Sequence, residues 1–265
     1  MVKIFLNYFR VKEWLHILGL PILGFIYSNG LNLFSKEFIS ALFLSSLLLS
    51  FAYSFDKYYD RTKNNRAFDK KLIPSIASMI ASVIYASYLS NTILSLTVID
   101  ILIVIFYVLP PFRLKGAPIF VTVLNSLGFT MLFLIGYSTN SNINSNTLLF
   151  SGLIALIMIP IQLVHELAHF DKDKKMGLNT TAINFGQKIT KSLISYSLIL
   201  VIFWGIVLYF YGIVSILLII LLTSFAISLE MILKYEKNTL KARVYLRYLS
   251  IAIGLVFLMF FIFKI

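Results

Sequence analysis

Long apolar segments separated by short polar ones dominate the pattern of this sequence. Each apolar segment is long enough to cross a bilayer as a helix, which takes about 20 residues. Apolar and polar residues do not alternate within the segments, as the strands of a membrane barrel would require. The pattern therefore predicts nine membrane helices, at residues 13–29, 38–55, 72–90, 92–109, 117–138, 148–168, 190–210, 213–233 and 244–263.

The composition agrees with a membrane protein and excludes a soluble one. Hydrophobic residues make up 59% of the chain and charged residues 13%, whereas soluble domains are about half apolar and a quarter charged. Further apolar segments follow the first one without a small-residue cleavage site, so a cleaved signal peptide is not expected. No linker divides the chain, which predicts a single all-α polytopic domain over residues 1–265. The absence of cysteine excludes disulfides and thiolate metal ligands.

The placement of basic residues predicts the orientation of the helices. With the N-terminus in the cytoplasm, the N-terminal arm and the second, fourth, sixth and eighth connections contain 3, 6, 2, 5 and 5 Lys or Arg residues, or 21 of 23. Cytoplasmic connections carry such an excess, which predicts an N-in, C-out protein of the cell membrane. The net charge of +12 is therefore chiefly an orientation signal, and nucleic acid is not an expected partner.

The first group of acidic residues lies in "AYSFDKYYDRTKNN", at the predicted cytoplasmic end of the second span. Asp56 and Asp60 are four residues apart, which places them on one helix face with β-carbons about 5–6 Å apart. A divalent cation would remove the repulsion between them. Mg²⁺ suits the pair because it takes few carboxylates and leaves its other positions to water and phosphate oxygens. Taken alone, the cluster is explained equally well as two solvated aspartates neutralised by Lys57 and Arg61.

A second acidic group lies at the predicted cytoplasmic end of the sixth span. Glu166, His169 and Asp173 have the i, i+3, i+7 spacing of one helix face. Ionisable residues near the membrane interior are functional candidates. Two such clusters on the same side of the membrane predict helices arranged around a central cavity that opens to the cytoplasm.

Between the two clusters in sequence lies the turn "YVLPPFRLKGAP". Pro110 and Pro111 end the fourth predicted helix, and Arg113 and Lys115 follow in the turn. Arginine offers a forked set of donors for phosphate, and lysine a point charge. Taken alone, Arg113 and Lys115 are explained by the excess of basic residues in cytoplasmic connections. Beside two acidic clusters, they predict a cavity for Mg²⁺ and a phosphorylated substrate.

These segments resemble the UbiA-type intramembrane prenyltransferases, nine-helix enzymes that transfer an isoprenoid chain from its diphosphate to an acceptor. "DKYYDRTKNN" is similar to the first aspartate motif of the family, with Asp56 and Asp60 in the metal-binding positions. "YVLPPFRLKG" resembles the family turn Tyr-x-x-Pro-Pro-x-Arg-x-Lys, with Tyr107, Arg113 and Lys115 in place.

The second motif of the family is matched by "DKDKKMGLNTTAINFG", with Asp173, Gly177, Thr180 and Gly186 at the expected offsets. The family has three acids at offsets 0, 3 and 7, and the middle one is His169 here. The resemblance leaves open whether this histidine binds diphosphate as a cation or acts as a base on the acceptor.

The loop after the first motif also carries the resemblance, and the start of the motif departs from it. "KLIPS" at 71–75 resembles the Arg-Pro-Ile-Pro-Ser that usually ends this loop. Ala52 and Tyr53 replace the Asn-Asp pair that usually opens the first motif, which removes one polar group near the metal.

The resemblance implies Mg²⁺-dependent transfer of an isoprenyl chain from a polyprenyl diphosphate to a lipophilic or aromatic acceptor among the membrane lipids. Family acceptors include quinone and haem precursors, glycerol-ether phosphate lipids and sugar phosphates, and the sequence does not choose among them. The implied metal ligands are Asp56, Asp60, Glu166 and Asp173. The implied catalytic residues are Asp56, Asp60, Asp173 and Lys115. The implied diphosphate-binding residues are Arg61, Tyr107, Arg113, Lys115, Asn125, His169 and Lys174.

Two other functions are weaker alternatives. His165, Glu166 and His169 form the H-E-x-x-H pattern of helical zinc proteases. That function needs a third protein ligand and a water position, and it leaves the first acidic cluster and the basic turn without a role. A non-enzymatic transporter would use Asp100, in the middle of the fourth span. An acid in that position more often bonds to a neighbouring helix.

Overall fold

The computed structural model describes residues 7–28, 32–61, 70–235, 240–246, 248–249, 251–252 and 254. These residues contain helices and turns but no strand, which confirms the all-α prediction. Most of the ninth predicted span and the side chain of Arg61 lie outside the described residues. The helices of nine or more residues are α1 (Gly19–Tyr27), α2 (Lys36–Arg61), α3 (Ile73–Leu89), α4 (Asn91–Val108), α5 (Phe120–Ser138), α6 (Ser145–Lys175), α7 (Thr181–Phe210) and α8 (Ile216–Tyr235).

Six of the described helices are long and apolar enough to cross a membrane, namely α2, α4, α5, α6, α7 and α8. Helix α3 is apolar but shorter, with 17 residues. These helices coincide with the second to eighth predicted spans, so the prediction of a helical membrane protein is confirmed. The count of nine spans and their orientation stay predictions.

The first predicted span is broken into three pieces. A single turn, Val11–Trp14, continues into the 3₁₀ turn Leu15–Leu18, and the α-helix begins only at Gly19. Pro21 lies in the first turn of α1. Proline has no amide hydrogen, and it is accommodated in a first turn because the amide there has no helical partner.

The chain forms two compact units. One contains residues Met1–Arg113 and Met131–Ile143, and the other contains Leu114–Thr130 and Asn144–Ile265. The prediction of one domain over residues 1–265 is not tested by this division and stays a prediction.

In the first unit, small residues allow helices to approach closely. Gly136 on α5 lies so near α1 that an added β-carbon would be 2.1 Å from the carbonyl oxygen of Pro21. A β-carbon on Gly24 would be 2.0 Å from the carbonyl oxygen of Phe133. Helix α3 buries the small residues Ser75, Ser78, Ser82 and Ala86. Membrane helices pack through such residues because lipid offers no hydrophobic drive for their association.

In the second unit, α7 packs against α6 and α8 around an apolar core. Its fully or nearly fully buried residues include Leu163, Leu167, Ala182, Ile194, Leu198, Phe225 and Leu229. The indole nitrogen of Trp204 on α7 donates to the carbonyl oxygen of Leu149 on α6 at 3.1 Å. Gly186 interrupts α7 with φ 78° and ψ 162°, an extended positive-φ conformation that is essentially restricted to glycine.

Candidate functional site

The first acidic cluster occupies the last turns of α2, in the first unit. Asp56 and Asp60 are half-buried and one helical turn apart. The carboxylate of Asp56 has a cationic neighbour: its Oδ2 lies 3.5 Å from a terminal nitrogen of Arg10. The guanidinium of Arg10 also pairs with Glu13 and stands over the ring of Tyr53, 5.6 Å from its centroid. The segment before α1 therefore reaches the predicted metal-binding end of α2.

The charge of Arg10 is stabilised by these neighbours. Burial by itself lowers the pKa of the guanidinium, but the hydrogen bond and charge of Glu13, with the charge of Asp56, outweigh burial and raise that pKa. Arg10 is therefore a permanent cation beside Asp56.

The turn after α4 places Arg113 in an unusual backbone conformation. Its φ is 38° and its amide donates to the carbonyl oxygen of Leu109 at 2.8 Å. The Nε atom of Arg113 is buried and has no hydrogen-bond partner within the part of the chain that the structure describes. Buried donors in proteins are nearly always bonded, so the Nε atom of Arg113 can still take an acceptor. Tyr107, on α4 in the same unit, is half-buried.

The second unit contains the remaining predicted site residues on different elements. Lys115 is 4% exposed, in the short 3₁₀ turn Leu114–Gly116. Asn125 is half-buried on α5. Asp173 is half-buried and Lys174 exposed in the last turn of α6. That helix ends where Gly177 takes φ 68° and the amide of Leu178 bonds back to the carbonyl oxygen of Asp173 at 3.0 Å.

Glu166 joins three helices. Its Oε1 accepts a hydrogen bond from the Thr122 hydroxyl on α5 at 2.7 Å, and its Oε2 accepts from the Ala182 amide in the first turn of α7 at 3.1 Å. The residue is 2% exposed. Both carboxylate oxygens are therefore engaged by the protein, and the assignment of Glu166 as a metal ligand stays a prediction.

His169 is bonded by Arg243, which comes from the helical residues after α8. A terminal nitrogen of Arg243 lies 2.6 Å from Nε2 of His169. Arginine can only donate, so Nε2 of His169 is the acceptor at this contact. The role of His169 toward the diphosphate or the acceptor stays a prediction.

These contacts also argue against a zinc protease. The rings of His165 and His169 are 4.7 Å apart between centroids. However, Nε2 of His169 accepts from Arg243, and both oxygens of Glu166 accept from other residues. In neither unit, among the described residues, do three or more His, Asp or Glu side chains form a group that could hold a metal ion, whether zinc or Mg²⁺.

The predicted site residues are divided between the two units. The first unit contains the predicted site residues Asp56, Asp60, Tyr107 and Arg113. The second unit contains Lys115, Asn125, Glu166, His169, Asp173 and Lys174. The assignment of these residues to a common site stays a prediction.

Sequence reasoning missed Arg10, Thr122 and Arg243, which contact predicted site residues. It also missed Tyr53, which contacts Arg10. In the sequence, Arg10 and Arg243 belong to the basic excess that sets the orientation, and Tyr53 is a departure from the first motif. No spacing rule connects Thr122 or Arg243 with its partner, because 44 and 74 residues of chain separate them.

The fold and the site define a class: a polytopic helical membrane protein with acidic residues at helix ends and basic residues in a turn. A sequence model of the UbiA prenyltransferase family matches residues 17–252. The chain belongs to this family, which confirms the predicted resemblance and the prediction of a prenyltransferase.

Solved structures show the same fold at low identity. A UbiA homolog from Archaeoglobus fulgidus bound to GPP and Mg²⁺ is 16% identical, with a TM-score of 0.74 over 96% of this chain and 99% of that chain. A structure described as digeranylgeranylglyceryl phosphate synthase is 17% identical, with a TM-score of 0.75 over 98% of each chain. Among curated proteins, none matches the sequence significantly.

Proposed function

We propose that this chain transfers an isoprenyl group from a prenyl diphosphate to a lipophilic or aromatic acceptor, at the cytoplasmic side of the cell membrane, with Mg²⁺ as cofactor. The observation that carries the proposal is the family match over residues 17–252. Similar structures bound to GPP or DMAPP together with Mg²⁺ support the donor class and the metal. Nine spans in an N-in, C-out arrangement around a cavity belong to the same proposal.

The carboxylates of the chain fit Mg²⁺, which prefers oxygen ligands and keeps several waters. Asp56 and Asp60 stand one turn apart on α2, and Asp173 is half-buried in the last turn of α6. We assign these three to the metal, directly or through water. Bound Mg²⁺ would offset charge on the diphosphate. Glu166, the fourth predicted ligand, is instead assigned to fixing α5, α6 and α7 through its two hydrogen bonds.

Basic and hydroxyl groups fit the diphosphate. The Nε atom of Arg113 and the Oγ1 atom of Thr180 are buried without a hydrogen-bond partner in the described residues, and phosphate oxygens are acceptors for both. Lys115 adds a buried cation, 4% exposed. Cations aimed at the diphosphate stabilise the charge that develops as it leaves. Further proposed contacts to the diphosphate are Arg61, Tyr107, Asn125, His169 and Lys174.

In the reaction, the bond between the allylic carbon and the diphosphate oxygen breaks, and its electron pair leaves with the diphosphate. A lone pair or ring electron pair of the acceptor forms the new bond to that carbon, and the acceptor loses a proton. A site with little water protects the cation-like carbon from hydrolysis.

The function is tested by diphosphate release from geranylgeranyl diphosphate by the purified protein, with a lipid extract supplying acceptors. The reaction is run with Mg²⁺, with a chelator, and with Asp56→Asn. We expect release that needs both the metal and Asp56, with a fall of at least about a hundredfold in the variant, since a ligand contributes at least as much as its outer-shell partners. Mass analysis of the product identifies the acceptor.

Two results would contradict the proposal. Full activity of Asp56→Asn would remove the metal assignment. No release under any condition, together with tightly bound stoichiometric zinc, would restore the protease alternative.

A further inference from the structure

Arg10 is held from three sides at the end of α2. Its Nε atom donates to Oε1 of Glu13 at 2.8 Å, and a second contact joins the same two side chains. The central carbon of its guanidinium stands over the ring of Tyr53, 5.6 Å from the centroid. A terminal nitrogen lies 3.5 Å from Oδ2 of Asp56. Because a guanidinium is rigid and planar, the edge held by Glu13 also restricts the position of the nitrogen near Asp56.

The backbone under Arg10 is fixed as well. Arg10 has φ 54° and ψ 36°, a left-handed conformation that is uncommon for residues other than glycine. Two bonds close the turn around it: the Glu13 amide donates to the Arg10 carbonyl oxygen at 2.8 Å, and the Trp14 indole donates to the Phe9 carbonyl oxygen at 2.8 Å. Trp14 is 4% exposed. This turn is therefore anchored in the unit.

Glu13 offsets the positive charge that Arg10 brings to Asp56, the proposed metal ligand. Arg10 contributes +1, while Glu13 and Asp56 contribute −1 each, so these three side chains sum to −1. The ion pair with Asp56 is partly exposed, with 24% and 26% of the two side chains accessible, and pairs of this kind contribute little to stability. Stability alone does not account for the arrangement.

The ring of Tyr53 contacts the guanidinium of Arg10. Tyr53 precedes Asp56 by three residues on α2, so the two side chains emerge from neighbouring positions of one helix surface. Tyr53 stands where the first motif of the family usually has a polar residue, and its ring contacts the guanidinium of Arg10.

We propose that Arg10, which contacts the ring of Tyr53 and pairs with Glu13, is a positioning residue that sets the orientation of the Asp56 carboxylate toward Mg²⁺. The inference rests on the proposed function, because it takes Asp56 as a metal ligand. Arg10 acts through Asp56 and needs no contact with the donor.

The test measures Mn²⁺ binding by electron paramagnetic resonance, with a non-hydrolysable thio-analogue of geranylgeranyl diphosphate present, and the apparent melting temperature of each variant. Removing a cation should by simple Coulomb attraction strengthen Mn²⁺ binding. We expect the opposite for Arg10→Gln, a loss of about tenfold or more, as found for residues that orient metal ligands. Arg10→Lys should resemble it, because lysine lacks the fork. Lys12→Gln, which removes an exposed cation of the same turn, should bind Mn²⁺ as the wild type does.

A second pair of variants keeps Arg10 and changes the side chain of Tyr53 that it contacts. Tyr53→Leu removes the ring face and should weaken Mn²⁺ binding about two- to fivefold, the fold-change of a cation–π contact at a partly exposed site. Tyr53→Phe keeps the face and should bind as the wild type does. Melting temperatures should agree within each pair, which a purely structural role of the ring would not produce.

The outcomes separate this inference from the function on which it rests. Wild-type or tighter Mn²⁺ binding in Arg10→Gln, with weak binding in Asp56→Asn, overturns the positioning role and leaves the function standing. Equal Mn²⁺ binding in Tyr53→Leu and Tyr53→Phe overturns the role of the Tyr53 ring in holding Arg10. Undiminished Mn²⁺ binding in Asp56→Asn overturns the metal assignment itself.

Discussion

At the scale of single residues, the acidic side chains of the two motifs differ in their environments. Asp56 is paired with Arg10 and about a quarter exposed, so a ligand can reach it. Glu166 is 2% exposed and accepts hydrogen bonds on both oxygens, from Thr122 and Ala182. A buried carboxylate needs such partners because water does not compensate its charge. The spacing of residues in a motif does not distinguish these two situations.

We expect Glu166→Gln to fold with nearly wild-type thermal stability. A glutamine amide can accept from the Ala182 amide and donate to the Thr122 hydroxyl, which keeps both contacts. Glu166→Leu should unfold more easily, by about 2 kcal/mol or more, because a buried hydroxyl and a buried amide lose their acceptor. Melting temperatures in detergent measure the difference.

The same glutamine variant distinguishes anchoring from metal binding. We expect its Mn²⁺ affinity to stay within about threefold of the wild type, a range well below the loss expected for a metal-site partner. An affinity as low as that of Asp56→Asn would instead make Glu166 a ligand, as the sequence pattern predicted.

At the scale of helices, α1 and α5 approach each other closely through two glycines of the first unit. The atoms that meet an added β-carbon at Gly24 or Gly136 are main-chain atoms of the opposite helix, as near as 2.0 and 2.1 Å. Main-chain atoms cannot rotate away as a side chain can. Pro21, in the first turn of α1, is the residue whose main chain meets Gly136.

We expect Gly136→Ala to lower stability by about 1–3 kcal/mol or more, the usual cost of overpacking, because the helices must move apart. Gly19→Ala is the matched control, since a β-carbon there meets nothing within 4 Å. Size-exclusion profiles after a heating series compare the two proteins. Equal stability of both variants would contradict the close approach of α1 and α5.

The sequence predicted the helices well because each span is a local property. Segment length and apolar content gave α2 and α4 to α8, and the Pro110-Pro111 pair correctly marked the end of α4. The break before Gly19 was not predicted, because an apolar run looks the same whether one helix or three short pieces carry it. The motifs indicate the site residues, but the partners of Glu166 and His169 lie far from them in sequence.

At the scale of the whole molecule, the orientation in the membrane is a testable prediction of the charge pattern. The chain contains no cysteine, so single cysteines can be introduced without a competing thiol. We expect Asn142→Cys, in the loop after α5, to react with a membrane-impermeant maleimide on intact cells. Lys175→Cys, at the end of α6, should react only after permeabilisation. Both positions are exposed. The reverse labelling pattern would invert the proposed topology.

The sequence by itself determined the membrane class, the helix order and the family, because bilayer thickness and the local spacing of motif residues are written along the chain. Only the tertiary structure decided which groups meet: Arg10 with Asp56 and Tyr53, Thr122 and Ala182 with Glu166, and Arg243 with His169. The reason is physical. A polar side chain in an apolar surrounding bonds to whatever donor or acceptor packing brings within about 3 Å, and that neighbour is set by the fold rather than by distance along the sequence.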